Sequence, residues 1–93
     1  MIGLGERQLN ITGWWASGSA KKHMLEKHNV HWDEVEDILE QHITFRRVHD
    51  VWGERRYIMQ GRTGNGRYLT VVFAFDGFIA RIITAYDTPR RLR

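Results

Sequence analysis

The chain carries side chains suited to phosphate chemistry at points where segments of the sequence meet turns. Arg62 ends one segment just before a glycine-rich turn, Arg67 follows that turn, and Arg81 interrupts a segment that is otherwise apolar or small. A planar guanidinium grips a phosphate through two parallel hydrogen bonds and stays charged at any working pH. Histidine is the side chain that changes charge near neutral pH, so His28, next to Lys27, could act as a general acid or base.

Each of these residues also has a purely structural interpretation. Arg62 and Arg67 could keep a sheet edge soluble. Arg81 could be paired with an acid, although we favour exposure on a functional face of a sheet. A lone histidine at a helix end is often a structural cap. The residues by themselves leave these alternatives open.

The charges are segregated along the chain. Ten of the eleven arginines follow Phe45, where only four acidic residues accompany them, whereas residues 1–40 hold four basic and seven acidic residues. A basic half of this kind attracts polyanions and neutralises them with release of counterions. This segregation favours nucleic acid or an acidic protein as the partner.

The bulk composition indicates one small globular domain. We expect a single domain over residues 1–93, with residues 1–8 and 90–93 disordered. The chain has no cysteine, which fits a reducing, cytoplasmic location. It also has no apolar run of the length that a signal peptide or a membrane span needs.

The sequence predicts neither a metal site nor a cofactor. His23, His28 and His31 do not share one helix face, because a helix break falls between them, and no cysteine accompanies them. The glycine-rich stretch after Gly61 joins two strands instead of opening a helix, so it predicts a hairpin turn and not a phosphate-binding loop.

Two helices are predicted in the first half of the chain. Ser17 or Ser19 can cap a helix that runs through Lys27 or His28, and Asn29 can end it in the left-handed conformation. Apolar residues at helical spacing predict a second helix from about Trp32 to Gln41. The segment from Leu9 to Trp15 reads as a first strand or extended segment.

Four strands are predicted in the second half, where the apolar period changes to two. The predicted segments are Thr44 to Val51, Arg55 to Arg62, Arg67 to Phe75 and Phe78 to Tyr86. Turn signals between them, at Trp52-Gly53, after Arg62 and at Asp76-Gly77, predict an antiparallel meander. Strict alternation puts Arg81 opposite Ala80 and Ile82, and also opposite Thr84 and Tyr86 unless a bulge intervenes. A further helix is expected to begin after Pro89.

Several segments together resemble the BrnT family of bacterial toxins, over about Ala20 to Arg93. The segments are Lys27-His28-Asn29-Val30, Trp32-Asp33-Glu34-Val35, Gly61-Arg62-Thr63 with Gly66-Arg67, and Arg81-Ile82-Ile83-Thr84-Ala85, followed by a basic tail. The resemblance implies an α+β, RelE-like fold in which two N-terminal helices pack on one face of a four-stranded antiparallel sheet and the other face serves RNA. It also implies a ribonuclease toxin neutralised by a cognate antitoxin.

The resemblance implies catalytic roles for Arg62, Arg81, His28 and Lys27. Independently of the resemblance, the placement of basic and aromatic residues predicts RNA contacts. The residues predicted to bind RNA are Arg67, Arg55, Arg56, Tyr68, Arg90 and Arg91. We expect a metal-independent ribonuclease that inhibits translation, in which Arg62 and Arg81 clamp one phosphate and the 2′-hydroxyl of RNA is the nucleophile.

Two other functions stay open at this point. Related folds include ParE-like toxins that poison gyrase by binding, and a domain of this type could also bind RNA without cleaving it. The chain could form a homo-oligomer or a hetero-oligomer with its antitoxin.

Overall fold

The computed structural model of the chain describes residues 13–41, 45–51, 54–75 and 79–88. Its elements, in chain order, are β1 (Gly13–Trp15), α1 (Gly18–His28), α2 (Trp32–Leu39), β2 (Phe45–Val51), β3 (Glu54–Arg62), β4 (Tyr68–Phe75) and β5 (Ile79–Asp87). The predicted turns at Trp52-Gly53 and Asp76-Gly77, the C-terminal helix and the predicted disordered ends lie outside the described residues.

The strands form one sheet in the order β1-β5-β4-β3-β2. Strands β2 to β5 pair antiparallel with their sequence neighbours, so the predicted meander and the α+β class are confirmed. The sheet differs from the prediction in one respect, because the three-residue β1 adds a fifth strand that pairs parallel with β5. The meander leaves the edge of β5 unpaired, and β1 satisfies backbone groups along part of it.

Both helices begin and end for local reasons. The Ser17 hydroxyl accepts a hydrogen bond from the Ala20 N–H at 3.0 Å, and Asn29 adopts the left-handed conformation with φ 55° after α1. Helix α2 ends two residues earlier than predicted, since the Gln41 N–H bonds the Ile38 carbonyl and its side chain donates to the Arg62 carbonyl at 2.6 Å. No helix in the described part of the chain is long and apolar enough to cross a membrane.

The core lies between the helices and one face of the sheet. The residues that fill it are Met24, Val30, Val35, Ile38, Leu39, Met59, Leu69, Val71, Phe73, Ala80, Ile82 and Ala85. The predicted alternation of β4 is confirmed, because Leu69, Val71 and Phe73 are fully buried on this face. We call it the helix face, and we call the opposite side of the sheet the outer face.

A bulge in β5 decides which residues share the outer face. Val72 pairs with Thr84 and Phe73 pairs with Ile82, so Ile83 is an extra residue in β5. Arg81 lies opposite Ala74 and Tyr86 lies opposite Thr70, and both partners belong to the outer face of β4. Strict alternation was therefore wrong beyond Ile82, and Arg81, Thr84 and Tyr86 lie on the same face.

The turn between β3 and β4 is tied to α2. Its conformation requires a glycine at Gly66, where φ is 89°. The Gly64 N–H donates to the Asp37 carboxylate at 2.9 Å, and a Cβ added at Gly64 would lie 3.2 Å from that carboxylate. These contacts confirm the predicted hairpin turn and attach it to the helix layer. We call the end of the sheet that carries this turn the hairpin end.

Arg67 joins four elements at the hairpin end. Its Nε and Nη2 donate to the Asp87 carboxylate at the end of β5, and its Nη1 donates to the Glu34 carboxylate of α2 at 3.0 Å. Nη1 and Nη2 also donate to the carbonyls of Asn29 and His28, at 2.6 and 2.9 Å. A guanidinium has five N–H donors, and here all five are used. Two of them satisfy carbonyls that the end of α1 leaves without helical partners.

The same network lowers the pKa of both carboxyl groups. Hydrogen bonds from Arg67 are the main cause at Asp87, with burial opposing them and the charge of His28 adding to them. At Glu34 burial acts to raise the pKa, but bonds from the His31 N–H, Asn65 and Arg67 outweigh it. The pKa of Arg67 is raised in turn, chiefly by its bonds to Asp87.

We predict that Arg67→Ala lowers the free energy of unfolding by about 2 to 4 kcal/mol, because it leaves the Glu34 carboxylate, only 13% exposed, without its cation. Arg67→Lys should lose an intermediate amount, since an ammonium has three donors for five acceptor positions. Urea denaturation measures both changes. Arg55→Ala is the matched control, because Arg55 is exposed, and it should shift the free energy by no more than about 0.5 kcal/mol. An Arg67→Ala protein as stable as this control would contradict the structural role.

The lowered pKa values of Glu34 and Asp87 predict a loss of stability in acid. Their contribution is fully present above the pKa values of the unfolded chain, about 4 to 4.5, and disappears as the pH falls through the lower folded values, because the unfolded state then binds more protons. Urea denaturation between pH 6 and pH 2.5 should show this decline, and Arg67→Ala should make it shallower. Equal slopes in both proteins would show that Arg67 is not its source.

Candidate active site

An acid and two arginines meet on the outer face, at the end of the strands opposite the hairpin end. The Glu54 carboxylate accepts a hydrogen bond from Arg81 Nη2 through one oxygen, and its other oxygen lies 3.3 Å from Arg56 Nε. Arg56 and Arg81 both flank Ala74, one on each neighbouring strand. The small side chain of Ala74 lets Glu54 reach across β4 to Arg81. We call Glu54, Arg56 and Arg81 the Glu–Arg cluster.

Two polar atoms in this region lack a hydrogen bond to any described residue. Arg56 Nε is buried, and its contact with Glu54 is an ion pair that does not have hydrogen-bond geometry. The Thr84 hydroxyl is buried as well, one outer-face row from Arg81 along β5. A buried polar group without a partner costs about 1 to 3 kcal/mol, so these two atoms mark a region in which the described residues do not satisfy each other's hydrogen-bonding groups.

Sequence reasoning missed Glu54. The available signal was its isolation, because Glu54 is the only acidic residue between Asp50 and Asp76, a stretch that contains four arginines. Arg81 was expected either to be paired with an acid or to be exposed on a functional face. The structure shows that it is both, since its side chain bonds Glu54 and is 34% exposed.

Arg62 and Tyr68 face each other at the hairpin end of the outer face. They are directly paired across β3 and β4, and the guanidinium carbon of Arg62 lies 5.5 Å from the centre of the Tyr68 ring. Tyr68 is 41% exposed, so its ring is accessible from the outer face.

His28 also lies towards the hairpin end. Its ring centre is 5.9 Å from that of Tyr86 and 5.6 Å from that of His23. Lys27 precedes it in the last turn of α1 and is exposed. Because Tyr86 lies two outer-face rows from Arg81 along β5, the structure does not bring His28 and Lys27 to the Glu–Arg cluster.

The structure does not fit the prediction that Arg62 and Arg81 hold the same phosphate. Arg81 is level with Arg56 across Ala74, and Arg56 is six residues from Arg62 along β3, about 20 Å at ~3.4 Å per residue. The two arginines share a face, but they lie too far apart to hold one phosphate. Sequence reasoning could not place them, because the levels of the two side chains depend on strand register.

The remaining residues predicted to bind RNA have different surroundings. All five donors of Arg67 are used within the protein, so contact with a phosphate would require it to exchange existing bonds. Arg55 is exposed on β3, and Arg56 belongs to the Glu–Arg cluster. Arg90 and Arg91 lie outside the described residues. RNA binding by each of these residues stays a prediction.

The outer face combines groups that can act on a phosphodiester. A carboxylate can accept a proton, and two guanidiniums on neighbouring strands can stabilise charge on a phosphate. Helices on one face of an antiparallel sheet, with such a cluster on the other face, define a small α+β protein suited to a phosphate-bearing polymer.

Comparison with known proteins identifies the family. Residues 15–91 match the family described as "Ribonuclease toxin, BrnT, of type II toxin-antitoxin system", and the chain therefore belongs to the BrnT toxin family. The family implies an RNA substrate and an antitoxin partner. No curated protein sequence matches the chain.

A solved structure shares the fold. It is the crystal structure of the ribonuclease toxin BrnT from Brucella abortus, with a TM-score of 0.59 over 84% of this chain and 97% of that chain. The two sequences are 11% identical, so this similarity concerns the arrangement of helices and strands. The helices on one face of the sheet are therefore a shared feature, and site residues must be argued from this chain.

We predict a measurable coupling between Glu54 and Arg81. Both side chains are about one-third exposed, so a double-mutant cycle with Glu54→Gln and Arg81→Gln should give about 0.5 to 1 kcal/mol in urea denaturation. The matched control is the pair Lys22 and Glu26, whose atoms are 3.9 Å apart and whose side chains are far more exposed, so its coupling should be near zero. Equal coupling in the two cycles would show that Glu54 does not hold Arg81 in solution.

Proposed function

We propose that this BrnT-family toxin is a metal-independent endoribonuclease, that the Glu–Arg cluster carries out the cleavage, and that loss of RNA inhibits translation. One observation supports this proposal above the others: the Glu54 carboxylate lies between Arg56 and Arg81 on the outer face. A base and two phosphate-binding groups are the parts that this reaction needs.

In the proposed reaction the 2′-hydroxyl of RNA attacks the adjacent phosphorus. Glu54 accepts the hydroxyl proton, a bond forms between the 2′-oxygen and phosphorus, and the bond from phosphorus to the 5′-oxygen breaks. The leaving 5′-oxygen takes a proton from water, so the products are a 2′,3′-cyclic phosphate and a 5′-hydroxyl. Substrate must displace Arg81 from its present bond, which frees Glu54 Oε2 to accept the proton.

The arginines would stabilise the extra negative charge of the transition state. Arg81 is displayed on the outer face, and Arg56 Nε is a buried donor that forms no hydrogen bond with the described residues. Both guanidiniums carry their positive charge before the substrate binds, and that charge is the source of their proposed effect. Glu54 and the two arginines together supply a base and charge stabilisation without a metal ion.

For Arg62, His28 and Lys27 we propose a role in binding RNA at the hairpin end. Their distance from Arg81 argues against a direct part in the same proton transfer. They could contact flanking parts of the RNA, and Arg55, Arg67, Arg90 and Arg91 could do the same if they are accessible in the complex.

We predict that Glu54→Gln lowers kcat for RNA cleavage by about a hundredfold to ten-thousandfold, because the amide cannot accept the proton. Arg81→Ala should lower it at least about a hundredfold, and Arg81→Lys should recover only part of the loss, because an ammonium cannot form the bidentate contact. The assay is cleavage of a labelled RNA, free and ribosome-bound, in the presence of a chelator, with identification of the cyclic phosphate.

Glu26→Gln and Lys22→Ala are the matched controls, since they make the same chemical or charge change on the exposed surface of α1. Full activity of Glu54→Gln would reject the proposed base, and loss of activity in His28→Gln alone would move the reaction to the hairpin end. Intact RNA with wild-type protein, together with inhibition of DNA supercoiling, would support gyrase binding. Salt-dependent RNA binding without cleavage would support a non-catalytic domain.

A further inference from the structure

The outer face carries an exposed aromatic ring beside an arginine at each end. Trp15 on β1 is paired with Arg81 on β5 and is 44% exposed. Tyr68, at the hairpin end, is 41% exposed and contacts Arg62. The side chains of Trp15 and Tyr68 lie on the same face, because each is on the side of the sheet opposite the core.

The described side chains between the two rings are uncharged, and most of them are half-buried. In the middle of this surface the half-buried Gln60 amide donates to the Thr70 hydroxyl at 3.0 Å. The hydroxyls of Thr70 and Thr88 are 2.6 Å apart and both residues are buried, so they support this surface from beneath. Ile58 and Val72 are paired in the next row, towards the Glu–Arg cluster. Cations therefore lie at the two ends of this surface, the register places Arg46 of β2 opposite Ile58 in its middle, and the central rows of the described strands contain no acidic residue that would repel a nucleic acid.

This pattern matches a single strand better than a duplex. Bases in an RNA helix are stacked on each other, and side chains cannot reach their faces, whereas the bases of a single strand can stack on exposed aromatic rings beside arginine. The distance of about 20 Å between the ends corresponds to about six nucleotides at ~3.4 Å each, or to fewer if the strand is stretched.

We propose that the outer face holds a single-stranded RNA segment of about four to six nucleotides, with one base stacked on Trp15 next to the Glu–Arg cluster and another stacked on Tyr68 about 20 Å away. Arg62 holds the Tyr68 ring and contacts the neighbouring phosphate. This inference rests on the proposed function for the identity of the ligand as RNA. It assigns to Arg62 and Tyr68 a distal binding subsite in place of a part in the bond-breaking step.

Binding is tested without cleavage by using RNA whose 2′-hydroxyls are methylated, because such RNA lacks the nucleophile. Fluorescence anisotropy with labelled oligonucleotides of two to ten nucleotides should show affinity that rises with length and levels off at about six nucleotides. Tyr68→Leu should weaken binding of the ten-nucleotide RNA by about fivefold to a hundredfold, and Tyr68→Phe should restore most of it, since stacking needs the ring and not the hydroxyl. Trp15→Leu and Trp15→Phe should behave in the same way.

The length dependence separates a distal subsite from a general loss of structure. Tyr68→Leu should affect the ten-nucleotide RNA more than a three-nucleotide RNA, whereas Trp15→Leu should affect both. Lys22→Ala controls for the loss of an aliphatic surface cation. Affinity that does not depend on length beyond three nucleotides would overturn the proposal, and so would equal binding of a duplex or wild-type affinity in Tyr68→Leu.

The outcome also distinguishes this inference from the proposed function. If length-dependent binding and the effect of Tyr68 are found but unmodified RNA is not cleaved, the catalytic proposal fails and the binding subsite stands. If RNA is cleaved but Tyr68→Leu changes only the affinity for the antitoxin, the hairpin end is a protein contact and the distal subsite is rejected.

Discussion

The arrangement of this small domain depends on one guanidinium that four elements share. Arg67 lies between the end of α1, the start of α2, the beginning of β4 and the end of β5, and it bonds a carbonyl or carboxylate in each of the other three. A domain of 93 residues has a limited core, so polar contacts at its edges carry a larger share of the stability. Lysine could not make the same set of contacts, because it has fewer donors and no planar fork.

The arginines of the outer face are not part of the Arg67 network. Arg67 takes part in holding the helix face, whereas Arg56, Arg62 and Arg81 lie on the outer face. The helices cover one side of the sheet with apolar residues, and on the other side the described side chains include cations, exposed rings and the Glu54 carboxylate. The same strands therefore contribute one face to the core and another face to the proposed RNA site.

A single extra residue in β5 decides which side chains of this strand lie on the outer face. Without the bulge at Ile83, Thr84 and Tyr86 would point to the core side when Arg81 points outward. With the bulge, β5 places Arg81 near Glu54 and also brings Tyr86 to the outer face, within reach of His28. Bulges commonly redirect side chains next to functional sites. Because of this bulge, β5 places side chains on the outer face both near the Glu–Arg cluster and near the hairpin end.

Much of the fold followed from local patterns in the sequence. Ser17, Asn29 and the spacing of Val35, Ile38 and Leu39 determined two helices, and the glycine-rich turn after Arg62 determined a hairpin, because capping, periodicity and turn geometry act over a few residues. The charge segregation and the segments around His28, Arg62 and Arg81 were sufficient to suggest the BrnT family.

The site was decided only by the tertiary structure. The pairing of Glu54 with Arg81, the separation of Arg62 from Arg81 and the use of all five donors of Arg67 depend on strand register, on the bulge and on side chains 20 to 39 positions apart in the chain. Periodicity assigns a residue to a face, but it does not say how far along that face its partner on another strand lies. Register is set by the packing of the whole sheet against the helices, and no short segment contains that information.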